Sequence, residues 1–183
     1  MYTQRYLWVF ALITNKSEKV KFTCLRCGGC CSSGPNVTLT VSDVCRIARY
    51  LGVDWRKLTG EYMYVIIADY IPVVVLRGIN SKCVFLKYVD NTPTCTIYPA
   101  RPMRCQLYPF LPIALSENSR LEVSTKCPGV GRGELVEPPW SVLEKYFNEV
   151  KQHYKILYEY IFTSGLEPLK ALENLLDKFC SQK

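Results

Sequence analysis

Histidine is nearly absent from this chain, since His153 is the single one among 183 residues. A zinc hydrolase site built on two or three histidines is therefore excluded, as is the paired-histidine helix of metalloproteases. A Ser-His-Asp triad would depend on His153 alone. Because His153 falls in a long helical pattern two residues after Lys151, we expect a solvated or boundary histidine there.

Long apolar runs and phosphate-binding glycine loops are also missing. No stretch approaches the roughly 20 apolar residues of a membrane span, so we expect no membrane association. The apolar run Leu7–Ile13 follows Arg5, but it is short and no small-residue cleavage site comes after it, which predicts a cytoplasmic protein. The glycine-rich segment 129–133 lies between Cys127-Pro128 and Pro138-Pro139, and we interpret it as a linker.

Cysteine, in contrast, is abundant, with ten residues in the chain. Four of them lie in Cys24–Cys31, spaced C-x-x-C-x-x-C-C. Thiols at i and i+3 of a loop can bind one soft metal ion together, and the glycines of the run let the backbone turn toward sulfur. Because neighbouring side chains leave the backbone in different directions, Cys30 and Cys31 indicate two metals or a bridge. The run predicts a metal-chelating loop.

Four later cysteines bring the candidate metal ligands to eight. They are Cys24, Cys27, Cys30, Cys31, Cys83, Cys95, Cys105 and Cys127. Eight thiolates saturate two four-thiolate sites, whether two zinc ions or two iron–sulfur clusters, and they also suit one polynuclear cluster with fewer terminal ligands. Cys45 and Cys180 fall in helical patterns, and we interpret them as small core or boundary residues.

An even number of cysteines is also typical of a disulfide framework in secreted proteins. That alternative is less favoured, because a chain of 183 residues with 49% apolar composition can bury a hydrophobic core without disulfide bonds. Between the metals, the spacing Cys24-x-x-Cys27-x-x-Cys30 with a later Cys127-Pro128 is ferredoxin-like and favours iron–sulfur. Cys27-Gly28, however, resembles a zinc knuckle, so zinc stays open.

Hydrophobic periodicity predicts an α+β fold, in which a small cysteine-rich domain of short strands and helices precedes a C-terminal helical hairpin. Predicted strands are 6–14, 19–23, 36–40, 71–76, 83–88, 94–98, 110–115 and 120–125. A hairpin turn at 90–93 joins strands 83–88 and 94–98, and Cys83 and Cys95 could approach each other across that ladder. A helix capped by Ser42 ends at Gly52, and a short one starts at Asp54. We place the cysteine domain at 1–133, with its core at 22–127, and the helical extension at 134–183.

Several short motifs follow one another in a fixed order. They are Phe22-x-Cys24-x-x-Cys27-Gly28-x-Cys30-Cys31, Leu39-Thr40-x-x-Asp43, Cys83-Val84-Phe85-Leu86, Cys95-x-Ile97-Tyr98-x-x-Arg101-Pro102-x-x-Cys105 and Tyr108-Pro109-Phe110. In these residues the chain resembles the YkgJ-like cysteine-cluster family, over roughly Phe22–Cys127. The resemblance implies a zinc or iron centre held by the cysteines. It extends to the cysteine domain of flagellin lysine N-methylases, which implies cluster-dependent protein lysine methylation as an alternative function.

Basic residues beside the predicted ligands offer counter-charges to the thiolates. Arg26, Arg101 and Arg104 are the ones we expect next to the bound cofactor. The formal charge of +7 suggests a further alternative, a structural metal module that binds RNA or ribonucleoprotein. The basic residues, however, are scattered among acidic ones. The C-terminal helices offer a surface for a protein partner. We predict a metal-cluster protein, iron–sulfur or zinc, with a redox or electron-transfer role.

Overall fold

The computed structural model describes residues 12–14, 16–32, 37–112 and 121–181. The strands are β1 (Leu12–Thr14), β2 (Val20–Phe22), β3 (Thr38–Leu39), β4 (Met63–Ala68), β5 (Ile71–Leu76), β6 (Gly78–Ile79), β7 (Lys82–Cys83), β8 (Leu86–Val89), β9 (Thr92–Cys95), β10 (Phe110–Pro112), β11 (Leu121–Val123) and β12 (Val130–Val136). The α-helices are α1 (Gly29–Ser32), α2 (Val41–Leu51), α3 (Met103–Leu107), α4 (Trp140–Tyr158) and α5 (Pro168–Cys180). The predicted α+β fold, with short strands and a helical C-terminal region, is confirmed.

The chain forms two compact units. The first comprises Met1–Leu25 and Tyr108–Trp140, and the second comprises Arg26–Leu107 and Ser141–Lys183. The C-terminal helices therefore share a unit with most of the cysteine-bearing segments. The domain division predicted at residues 133 and 134 stays a prediction.

In the first unit, β11 pairs antiparallel with β1 on one side and with β10 on the other. Of the predicted strand 6–14, residues 6–11 lie outside the described part of the chain. The linker interpretation of segment 129–133 is wrong, because β12 pairs with β2 there. A Cβ on Gly129 would lie 2.1 Å from the Thr23 carbonyl oxygen, and one on Gly133 would lie 2.9 Å from Thr23 Cβ. These glycines permit close approach of two strands.

In the second unit, β5 lies between β3 and β4, and two hairpins follow, β6–β7 and β8–β9. The predicted strand 71–76 is confirmed by β5, whose register with β4 runs from Met63 opposite Leu76 to Ala68 opposite Ile71. The turn between β8 and β9 is shorter than predicted. It consists of Asp90 and Asn91, which both have positive φ, as a two-residue type I′ hairpin turn requires.

Helix α2 begins one residue before the predicted cap. Thr40, not Ser42, is the N-cap residue, because its backbone is extended and its Oγ1 accepts the N–H of Asp43 at 3.1 Å. Gly52 ends the helix as predicted. Asp54 likewise caps the 3₁₀ turn Trp55–Leu58 as predicted.

Helices α4 and α5 confirm the predicted C-terminal helical region, and a π-helix, Glu159–Thr163, extends α4. Their apolar faces join α2 and β5 in one hydrophobic core that contains Val44, Ile47, Leu157 and Leu175. Cys45 lies in this core and forms a disulfide with Cys180, with their Cα atoms 4.9 Å apart. No described helix is long and apolar enough to cross a bilayer.

His153 is only 1% exposed, so the expected solvated or boundary position is wrong. Its Nδ1 accepts a hydrogen bond from the Val41 N–H at 3.1 Å, at the first residue of α2. Burial lowers the pKa of His153 to about 4. The neutral imidazole therefore serves as a hydrogen-bond acceptor that joins α4 to the N-terminus of α2.

Candidate metal centre

The cysteine run ends in α1, which packs against the hairpins of the second unit. Gly28 has a φ of +69°, and a Cβ there would lie 2.6 Å from Pro93 Cβ on β9. Glycine suits both the left-handed backbone and this approach. The Cys31 N–H donates to the Gly28 carbonyl at 2.9 Å, and Ser32 Oγ donates to the same oxygen. These contacts fix Cys30 and Cys31 beside the β8–β9 hairpin.

Two successive hairpins supply the next thiols. Cys83 lies in β7 opposite Gly78, and Cys95 ends β9 opposite Leu86. The predicted proximity of the two cysteines thus involves neighbouring hairpins and not one ladder. Cys83 is 8% exposed, whereas Cys95 is half-buried.

Cys105 lies on α3, and a buried carboxylate fixes the start of this helix. The Met103 N–H donates to Asp43 Oδ1 at 2.9 Å. Asp43 Oδ2 accepts the Thr40 N–H at 3.0 Å and the Thr40 hydroxyl at 3.2 Å, which completes the capping box of α2. The Asp43 side chain, which is 0% exposed, therefore holds the beginnings of α2 and α3 together.

Arg46 balances the buried charge of Asp43, with Nη2 2.5 Å from Oδ1. The same guanidinium donates to both carboxylate oxygens of Glu149 on α4, at 2.7 and 3.0 Å. Burial raises the pKa of Asp43, and Arg46 together with the N–H groups of Thr40 and Met103 opposes that rise. One ionic network thus connects α2, α3 and α4.

Thiols from separate chain segments influence one another's ionisation in the second unit. They are Cys30, Cys31, Cys83, Cys95 and Cys105. The Cys31 thiol hydrogen-bonds the Cys30 sulfur and lowers the pKa of Cys30 to about 6, which raises the pKa of Cys31 in return. Burial raises the pKa of Cys83 and Cys95, and that of Cys105 to about 12. A metal bound here would have to displace protons.

The distances allow a partial test of fit to a metal. The sulfurs of Cys30 and Cys31 are 3.9 Å apart. Two thiolates, each about 2.3 Å from one tetrahedral zinc, would lie about 3.8 Å apart, so this pair fits a single ion. Adjacent cysteines therefore do not by themselves require the two metals or the bridge that the sequence indicated. Across the described residues, no three Cys, His, Asp or Glu side chains are grouped closely enough to hold an ion together. The donor chemistry and one pair fit a soft metal, and further ligands require side-chain rotation.

Three predicted ligands lie outside this group. Cys27 is exposed and belongs to the second unit. Cys24 and Cys127 belong to the first unit, where Thr23 N–H donates to the Gly129 carbonyl at 3.1 Å and brings the two cysteine-bearing segments side by side. All three thiols are free. Their assignment as ligands stays a prediction.

The three predicted arginines occupy different positions. The Arg101 guanidinium stacks over the Tyr98 ring at 4.1 Å. Its charge adds to the hydrogen bond that lowers the pKa of Cys30, and it opposes the burial that raises the pKa of Cys95. Arg104 donates to Thr38 Oγ1 at 3.3 Å. Arg26 lies in the cysteine loop with a φ of +51°.

Sequence reasoning missed the Asp43 network. The spacing Thr40-x-x-Asp43 resembles a capping box, and that was the available local signal. The partners of this network are distant in sequence, with Met103 60 residues from Asp43 and Glu149 103 residues from Arg46. The disulfide was missed for the same reason, since its sequence separation is 135.

The chain is a cysteine-rich α+β protein with eight free cysteines and one disulfide. Residues 23–128 match the family model CxxCxxCC, described as a "putative zinc- or iron-chelating domain". The match covers more than half of the chain and includes all eight predicted ligands. The chain belongs to the CxxCxxCC family, and this membership supports metal binding.

The chain is also similar to an uncharacterized protein of Methanocaldococcus jannaschii, to which it is 32% identical over 104 residues. The match covers 52% of this chain and 53% of the relative, so the chain spans about half the length of that protein. No solved structure matches the chain.

Gly28→Ala should disturb the cysteine loop, because the new Cβ meets Pro93 and the left-handed backbone is strained. We expect a loss of about 2 kcal/mol in the free energy of unfolding and a lower metal content per chain, measured by urea denaturation and elemental analysis. Gly29→Ala is the matched control. A Cβ at Gly29 lies 3.5 Å from Cys27 Sγ, an ordinary contact, and the position is helical. Equal effects of the two variants would contradict the proposed contact.

Asp43→Asn should lower the free energy of unfolding by about 3 kcal/mol, since a buried charge paired with Arg46 is lost. Metal content should also fall, because Asp43 holds the helix that carries Cys105. The control is Asp54→Asn, which changes an aspartate that also accepts a backbone N–H at a helix start but whose side chain is exposed. Asn caps nearly as well as Asp, so the control should cost less than about 0.5 kcal/mol. A small effect at Asp43 would refute its organising role.

Proposed function

We propose that the chain binds iron or zinc through its free cysteines, with the five interacting thiols of the second unit as the principal ligands. The observation that carries the proposal is that these thiols come from four separate segments of one unit and influence one another's ionisation. Cys30 and Cys31 come from α1, Cys83 and Cys95 from two hairpins and Cys105 from α3. Five thiols of one unit exceed what a single tetrahedral ion needs, which supports a polynuclear centre.

Within this proposal we favour an iron–sulfur cluster that exchanges electrons. The ferredoxin-like spacing supports it, and Arg101 is placed to offset thiolate charge at Cys30 and Cys95. Cys24, Cys27 and Cys127 are further proposed ligands. A bound cluster would supply reversible one-electron chemistry, whereas a zinc ion would supply structural support only.

The decisive experiment measures iron, zinc and acid-labile sulfide in anaerobically purified protein, with its visible absorption spectrum. Iron with matching sulfide and a charge-transfer band supports the cluster. Zinc alone would refute the redox role but retain metal binding, and absence of both metals would refute the proposal. Cys95→Ser and Cys105→Ser should each weaken metal binding roughly 100-fold, about a quarter of the binding free energy of a structural metal.

Cys180→Ser is the control for these substitutions. This variant also replaces one cysteine by serine, but Cys180 forms the disulfide and is not one of the free cysteines. Metal content should therefore match the parent protein at a temperature where both are folded. Loss of metal in this variant equal to that in Cys95→Ser would show that the assay reports folding and not ligation.

Arg101→Gln should weaken metal binding about tenfold or, if the centre is a cluster, lower its reduction potential, because a positive charge next to the thiolates is removed. Potentiometry and competition with a chelator measure the two effects. Arg56→Gln is the matched control, since Arg56 also stacks on a ring, Trp55 at 4.5 Å, but pairs with Asp177. Identical spectra, affinity and potential in Arg101→Gln would refute its role.

A further inference from the structure

The Cys45–Cys180 disulfide is accessible from a surface cavity. A cavity of about 330 Å³ is lined by both cysteines together with Trp55, Arg56 and Asp177. The two sulfurs are not equally protected, because Cys45 is 1% exposed whereas Cys180 is half-buried in the last turn of α5. A thiol reagent that enters this cavity would therefore reach the Cys180 sulfur first.

The disulfide lies at the end of the contact between α2 and α5. The middle of α5 is held by the core, since Ala171, Leu172, Leu175 and Leu176 are buried. The next residue, Asp177, accepts a hydrogen bond from Trp55 Nε1 at 3.0 Å and pairs with Arg56 at 2.6 Å. Asp177 and Arg56 are both substantially exposed, so their pair contributes little by itself. Beyond Leu176, Phe179 packs partly buried against the core, and the disulfide is the only covalent constraint that the described residues place on the last turn.

We propose that Cys45–Cys180 is a thiol–disulfide exchange site, through which a dithiol reductant releases the last turn of α5 from α2. One thiolate of the reductant attacks Cys180 Sγ, the S–S bond breaks, and Cys45 Sγ leaves as a thiolate that takes up a proton. The second thiol of the reductant then attacks its own sulfur in the mixed disulfide and frees the Cys180 thiol. The protein gains two electrons and two protons, and the dithiol becomes a disulfide.

This site is separate from the proposed metal centre, whose thiols are free. Core burial should keep α5 folded and docked through Leu176 after reduction. The expected change is local, with faster amide exchange after Asp177 and altered fluorescence of Trp55, which donates to Asp177.

The test incubates the full chain with dithiothreitol at graded ratios of reduced to oxidised reagent. Samples are quenched with iodoacetamide, and mass spectrometry reports alkylation at Cys45 and Cys180. We expect one reversible transition in which Cys45 and Cys180 become alkylated together. In the reduced protein, amide exchange in the peptide after Leu176 should rise at least about tenfold, while the peptide spanning 143–157 stays unchanged.

Cys180→Ser should reproduce the faster exchange without any reductant, and it separates this effect from removal of metal by dithiothreitol. The proposal is overturned if Cys45 and Cys180 are already alkylated in the untreated protein, or if the bond resists reduction until the chain unfolds. It is equally overturned if reduction leaves the exchange after Leu176 unchanged. Metal content measured on the same samples tests the metal centre independently.

Discussion

A single buried carboxylate joins three helices of the second unit, one of which carries the candidate ligand Cys105. Asp43 caps α2 with Thr40, accepts the first N–H of α3 from Met103 and pairs with Arg46, which reaches α4 through Glu149. A buried donor left without a partner costs about 1–3 kcal/mol. Because one side chain satisfies several such donors, α2, α3 and α4 are restricted to one mutual arrangement. Cys105 takes its position from that arrangement.

The candidate ligands are less constrained than the elements that carry them. Cys30 is exposed and Cys31, Cys95 and Cys105 are half-buried, so their side chains retain room to rotate. The backbone beneath them is fixed, by the Gly28 contact with Pro93 on one side and by Asp43 on the other. No three donors in the described ranges surround one point, so a metal shared by these thiols would require them to move.

Sequence reasoning succeeded where the determining physics is local. The β-branched composition of residues 71–76 and the apolar stripes of the C-terminal helices depend on near neighbours, and the structure contains β5, α4 and α5 there. It failed where a distant partner decides. A flexible linker and a close approach of two strands both favour glycine, so composition alone does not tell them apart. At Gly129 the deciding feature is the nearby Thr23 carbonyl, which leaves no room for a Cβ. The sequence predicts a boundary position for His153, because the donor of its hydrogen bond, the Val41 N–H, is distant in sequence. Of the site, the sequence supplied the thiols and Arg101, but not Asp43.

Cysteine has two roles in this chain, a disulfide and a proposed metal ligand, and the surroundings of each cysteine fit its role. Cys45 and Cys180 lie on packed helices at the edge of the core, where two close Cα atoms suffice for a covalent bond and no counter-charge is needed. The five interacting thiols lie on short helices and short strands, with Arg101 near two of them, an arrangement that suits thiolate ligands. Helix α2 is common to both sites, since Cys45 lies two residues after Asp43. The two groups, however, hold different helices. Asp43 holds α3, and the disulfide holds α5. Redox change at Cys180 therefore acts on α5, while α3 and its cysteine remain held by a carboxylate that neither oxidation nor reduction alters.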